Sequence, residues 1–389
     1  MEHSSSDISI IITISLIIFA SPLISKLIRI PTVPVEIILG ALAVYFSFIV
    51  EHETFTIVAE VGFLYLMFLA GLEVDLKRLV NISPSVLKRS LLYLAVIYSL
   101  SILITLTNDL SKIFIVILPL ISIGLIASLK KEYGNKDWIK LSITVGLIGE
   151  IISIIVLTTA SAAFKFKDDY SQFSTAMMYF FLFLVSIVII YKLFHNLIWW
   201  YPEIKTYLMP KIDNQEQDIR LSMAIFFLMI AVMIQLKLEI ALGGFLAGTF
   251  IITFFEHNKQ LPRKLEHFGF GWLVPIFFIS VGTKFDLSKL FSEGLIEKAL
   301  LIAGAMILIR VIGASLFVRD LGHQKALLLG LSHSMPLTLL IAVATLAFHN
   351  NSIDEFYYLA FVFASILEVI TVMIAIRGLN HIFVKFNSH

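Results

Sequence analysis

The sequence predicts an all-α, polytopic membrane protein of about 13 transmembrane helices, and three observations carry that fold class. Of the 389 residues, 59% are hydrophobic and only 15% are charged, with a mean hydropathy of +0.94. Soluble domains carry about 25% charged residues, so a water-soluble globule is excluded. Apolar runs of about 20 residues, the length that crosses a bilayer core, recur from end to end. The basic residues between them are biased to one side. Of the 29 Lys and Arg, 21 fall in loops on the side of Lys26 and Arg29, 7 fall in the alternate loops, and Arg310 lies inside a run. An even number of crossings would scramble that bias. Thirteen spans therefore place the N-terminus outside and the C-terminus in the cytoplasm.

Taken in order, spans are expected at about 8–27, 33–50, 55–74, 87–107, 111–129, 139–164, 175–198, 219–236, 238–256, 267–284, 295–318, 324–348 and 355–377. The N-terminal MEHSSSDISI lacks the basic region and small-residue cleavage site of a signal peptide, so the first run is a true span. Trp199, Trp200 and Tyr201 end the seventh as an interfacial aromatic belt. Glu36, Glu60 and Glu239 fall near span ends, where interface water can solvate them. Beyond the last span, residues 378–389 read as a short cytoplasmic tail with no nucleotide-binding regulatory domain. The chain has no cysteine, which excludes disulfides and thiolate metal sites. No glycine-rich phosphate loop or catalytic constellation is present. The expectation is a protein that is not an enzyme, has no cofactor and binds no nucleic acid.

The third span ends FLAGLEVDLKRL (68–79) and the tenth ends FISVGTKFDLSKL (278–290). Each has Gly, three residues, Asp-Leu, and a basic residue before a final Leu. By the topology above the two segments run in opposite directions, which predicts an inverted repeat. Repeat one covers about 8–164 and repeat two about 219–377, with a linker helix at about 175–198. At the repeat offset of 211 residues, the fifth span corresponds to the twelfth, and both carry a proline, Pro119 and Pro336. Proline removes a backbone hydrogen bond and breaks a helix. Two broken helices crossing near the midplane would present helix ends and freed carbonyls to an ion.

Glu150, in GLIGEIISII, lies about midway along the sixth span. Gly146, Ser142 and Ser153 share its helical face, a small and polar stripe suited to a bundle interior. A carboxylate at that depth is expensive and needs a positive partner, which makes Glu150 a candidate proton or cation site. Arg310, midway along the eleventh span, is charged at any working pH and needs a counter-charge. Glu150 and Glu368, in ASILEVITVM, are the two candidates at similar depth. If Arg310 pairs with Glu368, Glu150 is left to titrate. Ser153, Ser122, Ser334 and Thr338 are candidate oxygen ligands for a hard cation beside Glu150. His333, in LSHSMP, is either a packing histidine at the helix break or a pH sensor.

Four segments, IPTVPVEIILGALA (30–43), EVGFLYLMFLAGLEVDLKRL (60–79), LEIALGGFLAGTFI (238–251) and WLVPIFFISVGTKFDL (272–287), resemble the monovalent cation:proton antiporter-2 family of Kef-type and NapA-type exchangers. The likeness runs from about residue 8 to 377. It implies an inverted-repeat antiporter fold and a homodimer. The dimerisation domain would be spans 1 to 3 and 8 to 10, and an elevator-like core domain would be spans 4 to 6 and 11 to 13. The family's ion-binding aspartate falls on Glu150, and its basic residue of the eleventh span falls on Arg310. Two departures stand out: Glu replaces Asp, and Gly149 precedes it where the family usually has a polar side chain.

Together these observations lead us to expect a secondary antiporter in the bacterial inner membrane. A proton and Na+ or K+ would compete for Glu150, giving electroneutral, one-for-one exchange. A sodium-coupled organic-solute symporter of related architecture and a non-transporting membrane scaffold are the alternatives.

Overall fold

The computed structural model describes residues 5–28, 30–49, 53–74, 82–166, 169–201, 203, 215–236, 238–255, 258–284 and 294–386. Among these the protein is all-helical, with no strand. Among the described residues, eight helical stretches are long and apolar enough to cross a membrane, one of them the 55-residue run Leu295–His349, and two shorter apolar helices accompany them. The protein is a multi-pass membrane protein. Its chain forms two compact units, residues 1–75 with 168–292 and residues 76–167 with 293–389, so each unit draws on both halves of the sequence.

The first unit contains α1 (Ser5–Ile28), α2 (Thr32–Tyr45), α3 (Glu53–Leu72), α8 (Tyr170–Trp200), α9 (Gln217–Gln235), α10 (Ile240–Phe254), α11 (Leu261–Phe268) and α12 (Val274–Thr283). Asp169 caps α8, accepting from the Gln172 N–H at 3.0 Å, which holds its carboxyl below the usual range. A π turn, Gly269–Leu273, joins α11 to α12. Beside it the Tyr65 hydroxyl donates to the Leu265 carbonyl at 3.1 Å. Glu36 is not solvated at a span end: it is buried in α2 and accepts from the Ser21 hydroxyl at 3.4 Å. The Asp-Leu-basic ends of the two sequence motifs, including Asp286, lie outside the described residues.

Lipid gives apolar helices little hydrophobic reason to associate, so close packing of backbones must supply it. The sequence provides that with glycines. A Cβ on Gly71 of α3 would overlap the Phe245 carbonyl of α10, and one on Gly248 would overlap the Phe68 carbonyl in return. Gly40 of α2 and Gly282 of α12 make the same reciprocal approach, to the Ile279 and Ile37 carbonyls. Gly71 and Gly282 are 211 residues apart, as are Phe68 and Ile279. That is the offset relating the two sequence motifs. Gly248→Ala is expected to force α3 and α10 apart at a cost of about 1–3 kcal/mol, read as a lower unfolding temperature in detergent. An unchanged melting curve would show that the contact is not a tight one.

The second unit contains α4 (Pro84–Thr107), α5 (Phe114–Ile117), α6 (Gly124–Tyr133), α7 (Asp137–Lys165), α13 (Leu295–Ala314), α14 (Val318–His333), α15 (Leu337–His349) and α16 (Glu355–Phe386). Tyr93, Ile97, Ile121, Val145, Ile148, Phe317 and Leu329 form its packed interior. The runs expected as single spans at 111–129 and 324–348 are each interrupted. Chain 118–123, beginning at Leu118-Pro119, separates α5 from α6, and Ser334-Met335-Pro336 separates α14 from α15. Gly322, with φ +76°, adds a kink near the start of α14. The half-helices meet in reverse order: α5 packs on α15, and α6 on α14.

Candidate functional site

Helix α7 has 29 residues, which at 1.5 Å per residue is about 43 Å of helix. Glu150 lies near its middle and is fully buried. The broken strand of chain approaches α7 there because α7 carries glycine where the two meet. A Cβ on Gly149 would come within 2.9 Å of Ile121 Cδ1, and one on Gly146 within 2.6 Å of Ile123 Cγ2. The missing side chain at 149 is therefore the space that Ile121 fills.

Pro119 prevents α5 from continuing, and residues 120–123 are left with backbone groups that no helix satisfies. In a membrane interior each such group must find a partner. Three do so through α7 and α13. The Ile123 N–H donates to Glu150 Oε2 at 3.3 Å, and the Ile121 N–H donates to Ser153 Oγ at 3.4 Å. The Leu120 carbonyl accepts from the Arg310 guanidinium. Ser122 Oγ completes the set by donating to Glu150 Oε1 at 3.3 Å. Glu150, Ser153, Ser122 and Arg310 are thus gathered around residues 120–123 of the break.

Arg310 Nη1 donates to the Met306 carbonyl at 2.6 Å and lies 3.7 Å from Glu368 Oε1. Arg310 and Glu368 are both fully buried. Of the two carboxylates at that depth, the arginine faces Glu368. Among the described residues no basic side chain stands within ion-pair distance of Glu150, and neither oxygen of Glu368 accepts a hydrogen bond.

His333 ends α14, fully buried, with Nε2 2.9 Å from the Ser142 carbonyl and Nδ1 3.1 Å from the Tyr93 hydroxyl. A carbonyl can only accept, so Nε2 carries the hydrogen. These contacts pin His333 between α4 and α7. Ser332 Oγ adds a 3.0 Å contact to Ser142 Oγ. Ser334 Oγ donates to the Gly330 carbonyl of the preceding helix α14 at 3.1 Å, and Thr338 stands half-buried in the first turn of α15. No described contact joins either of them to Glu150.

Composition could not reveal the backbone members of the site, the Ile121 and Ile123 N–H groups and the Leu120 carbonyl. Pro119 was their only signal. Nothing in the sequence marked Tyr93 or Ser142 as the partners of His333.

A sequence model of the transmembrane sodium/hydrogen exchanger matches residues 11–377. This chain belongs to the sodium/hydrogen exchanger family. The resemblance carried by the four segments around helices α2, α3, α10 and α12 is therefore one of family membership. Curated exchanger-family relatives are distant. YjbQ of Bacillus subtilis is 24% identical over 374 residues, covering 89% of this chain and 58% of its own length. The high-affinity Na+/H+ antiporter NhaS3 of Synechocystis is 26% identical over 306 residues, covering 73% of this chain and 63% of its own. An Na+/H+ antiporter of Enterococcus hirae is 24% identical over 320 residues, 80% of this chain and 81% of the relative. The chain thus spans about three fifths of the first two of these relatives.

Proposed function

We propose that this chain is the transmembrane part of a monovalent cation/proton antiporter that exchanges Na+ or K+ for H+ at Glu150. One observation carries the reading. Glu150 is a fully buried carboxylate at a helix break, held by one hydroxyl and one backbone N–H, with no basic partner among the described residues. A bare anion in that setting is costly, which favours binding of a cation from the cargo. The names of the Synechocystis and Enterococcus relatives support Na+ as the cation.

The chemistry is mutual exclusion. A cation on the carboxylate removes the need for a proton, and a proton removes the attraction for a cation. Ser122 now donates to Glu150 Oε1. With a rotated hydroxyl it would offer a lone pair to a hard cation, as Ser153 Oγ could. The Ile123 N–H stays on Oε2 in either state and fixes the carboxylate in place. One carboxylate that accepts one proton or one monovalent ion exchanges them one for one without moving net charge. We further propose a homodimer in the bacterial inner membrane, with the C-terminus in the cytoplasm and the unit that carries Glu150 as the moving element.

Proteoliposomes test this. Adding Na+, K+ or Li+ outside vesicles with an acidic interior is expected to dissipate the pH gradient for at least one ion, at the same rate with and without an imposed membrane potential. A rate that follows the potential would overturn one-for-one exchange. Silence with all three ions would overturn antiport, and a screen of organic solutes with Na+ would then separate symport from a scaffold.

A further inference from the structure

Among the described residues of one unit, two carboxylates and a guanidinium are sealed inside alongside His333: Glu150 on α7, Glu368 on α16 and Arg310 on α13. Arg310 supplies one positive charge. A membrane interior tolerates little net charge, so at any moment one carboxylate balances Arg310 and the other must be neutralised by a proton or a cation. The surroundings of the two carboxylates are unequal. Glu150 accepts from the Ser122 hydroxyl and the Ile123 N–H, the kind of donors that solvate an anion. Glu368 accepts from nothing, and both of its oxygens are buried without a hydrogen-bond partner. Arg310 does not solvate it either. Its Nη1 donates to the Met306 carbonyl, its Nη2 donates to the Leu120 carbonyl, and the closest approach to Glu368 is 3.7 Å, beyond hydrogen-bond length.

We infer that Glu368 is a second proton-binding carboxyl of the exchange site, holding the proton while Glu150 is a free carboxylate and releasing it when Glu150 takes a cation. The inference rests on the antiport reading above and gives the exchanged proton a seat apart from the cation. Charge balances in both states. With Glu150 ionised and Glu368 protonated, Arg310 is matched by Glu150. With Na+ on Glu150, the Glu368 O–H bond breaks, its proton leaves to water, and the carboxylate left behind matches Arg310. One cation enters for one proton lost. Of the helices packed on α16, α13 presents Arg310 and, near its start, Glu297 and Lys298, the latter 5.9 Å from the Tyr357 ring of α16. Helix α15 carries no titratable group before His349 at its far end, and α14 carries Arg319, Asp320, His323 and Lys325 near its start. His333, at the other end of α14, is engaged by Tyr93 and Ser142.

Infrared difference spectroscopy of the full chain in liposomes tests this, with Na+, K+ or Li+ added at constant pH. In the native protein the cation is expected to remove a protonated-carboxyl band. Glu368→Gln is expected to lack that band. Glu368→Asp, which keeps a carboxyl if the Gln variant fails to fold, is expected to shift it. A cation-sensitive band that stays at the native position in Glu368→Asp puts the proton on Glu150 and overturns the inference, leaving the antiport reading intact. A native spectrum that no cation changes overturns both.

Discussion

Glu150→Gln is expected to reduce cation-dependent proton flux to the level of empty liposomes while leaving the protein folded. The amide has almost the shape of the carboxylic acid. Its oxygen can still accept from Ser122 or Ile123, but its NH2 has donors where the site also offers donors, which costs about 1–3 kcal/mol for the unmade bond. That is a modest loss of stability, and the loss of function is complete because an amide neither releases a proton nor attracts a cation. Size-exclusion chromatography and a detergent melting curve would show the fold, and proteoliposome flux the activity. Native exchange rates in a folded Glu150→Gln protein would make the carboxylate structural and move the exchange chemistry to Glu368.

Arg310→Ala is expected to be the most destabilising single change in the second unit. It removes the donor from the Leu120 carbonyl in the gap and from the Met306 carbonyl, and it removes the cation that faces Glu368. Deleting one partner of a buried charge arrangement costs about 3–5 kcal/mol, so unfolding in detergent should come at a much lower temperature and exchange should be lost. Arg310→Lys keeps the charge but not the planar fork that spans two carbonyls, and is expected to fall between Ala and native in stability. Equal melting temperatures for the native protein and Arg310→Ala would show that the guanidinium does not hold the gap together.

Much of the site was legible in the sequence because charge in an apolar run is conspicuous. Glu150, Arg310 and Glu368 each interrupt a span, and each is fully buried. Pro119 and Pro336 marked the two helix breaks for a local reason, the missing N–H and the ring that forbids the next turn. Glu36 misled, since its place near the end of a span suggested water and it is buried against Ser21. Depth within a span says nothing about which neighbour covers a residue. Ser334 and Thr338 were candidate ligands by proximity to Pro336, yet the described contacts do not bring them to Glu150.

The sequence by itself determined that this is an all-helical membrane protein, where two of its helices break, and which three charges lie within apolar runs. Those are local properties, set by about 20 residues at a time. Only the tertiary structure decided how they are reconciled. Arg310 reaches the Leu120 carbonyl, 190 residues away in sequence, and faces Glu368 instead of Glu150. The Ile123 N–H, 27 residues from Glu150, is the donor that holds the carboxylate. Two carboxylates at equal depth are equivalent to hydropathy. They are made unequal by which one meets the unpaired backbone of a broken helix.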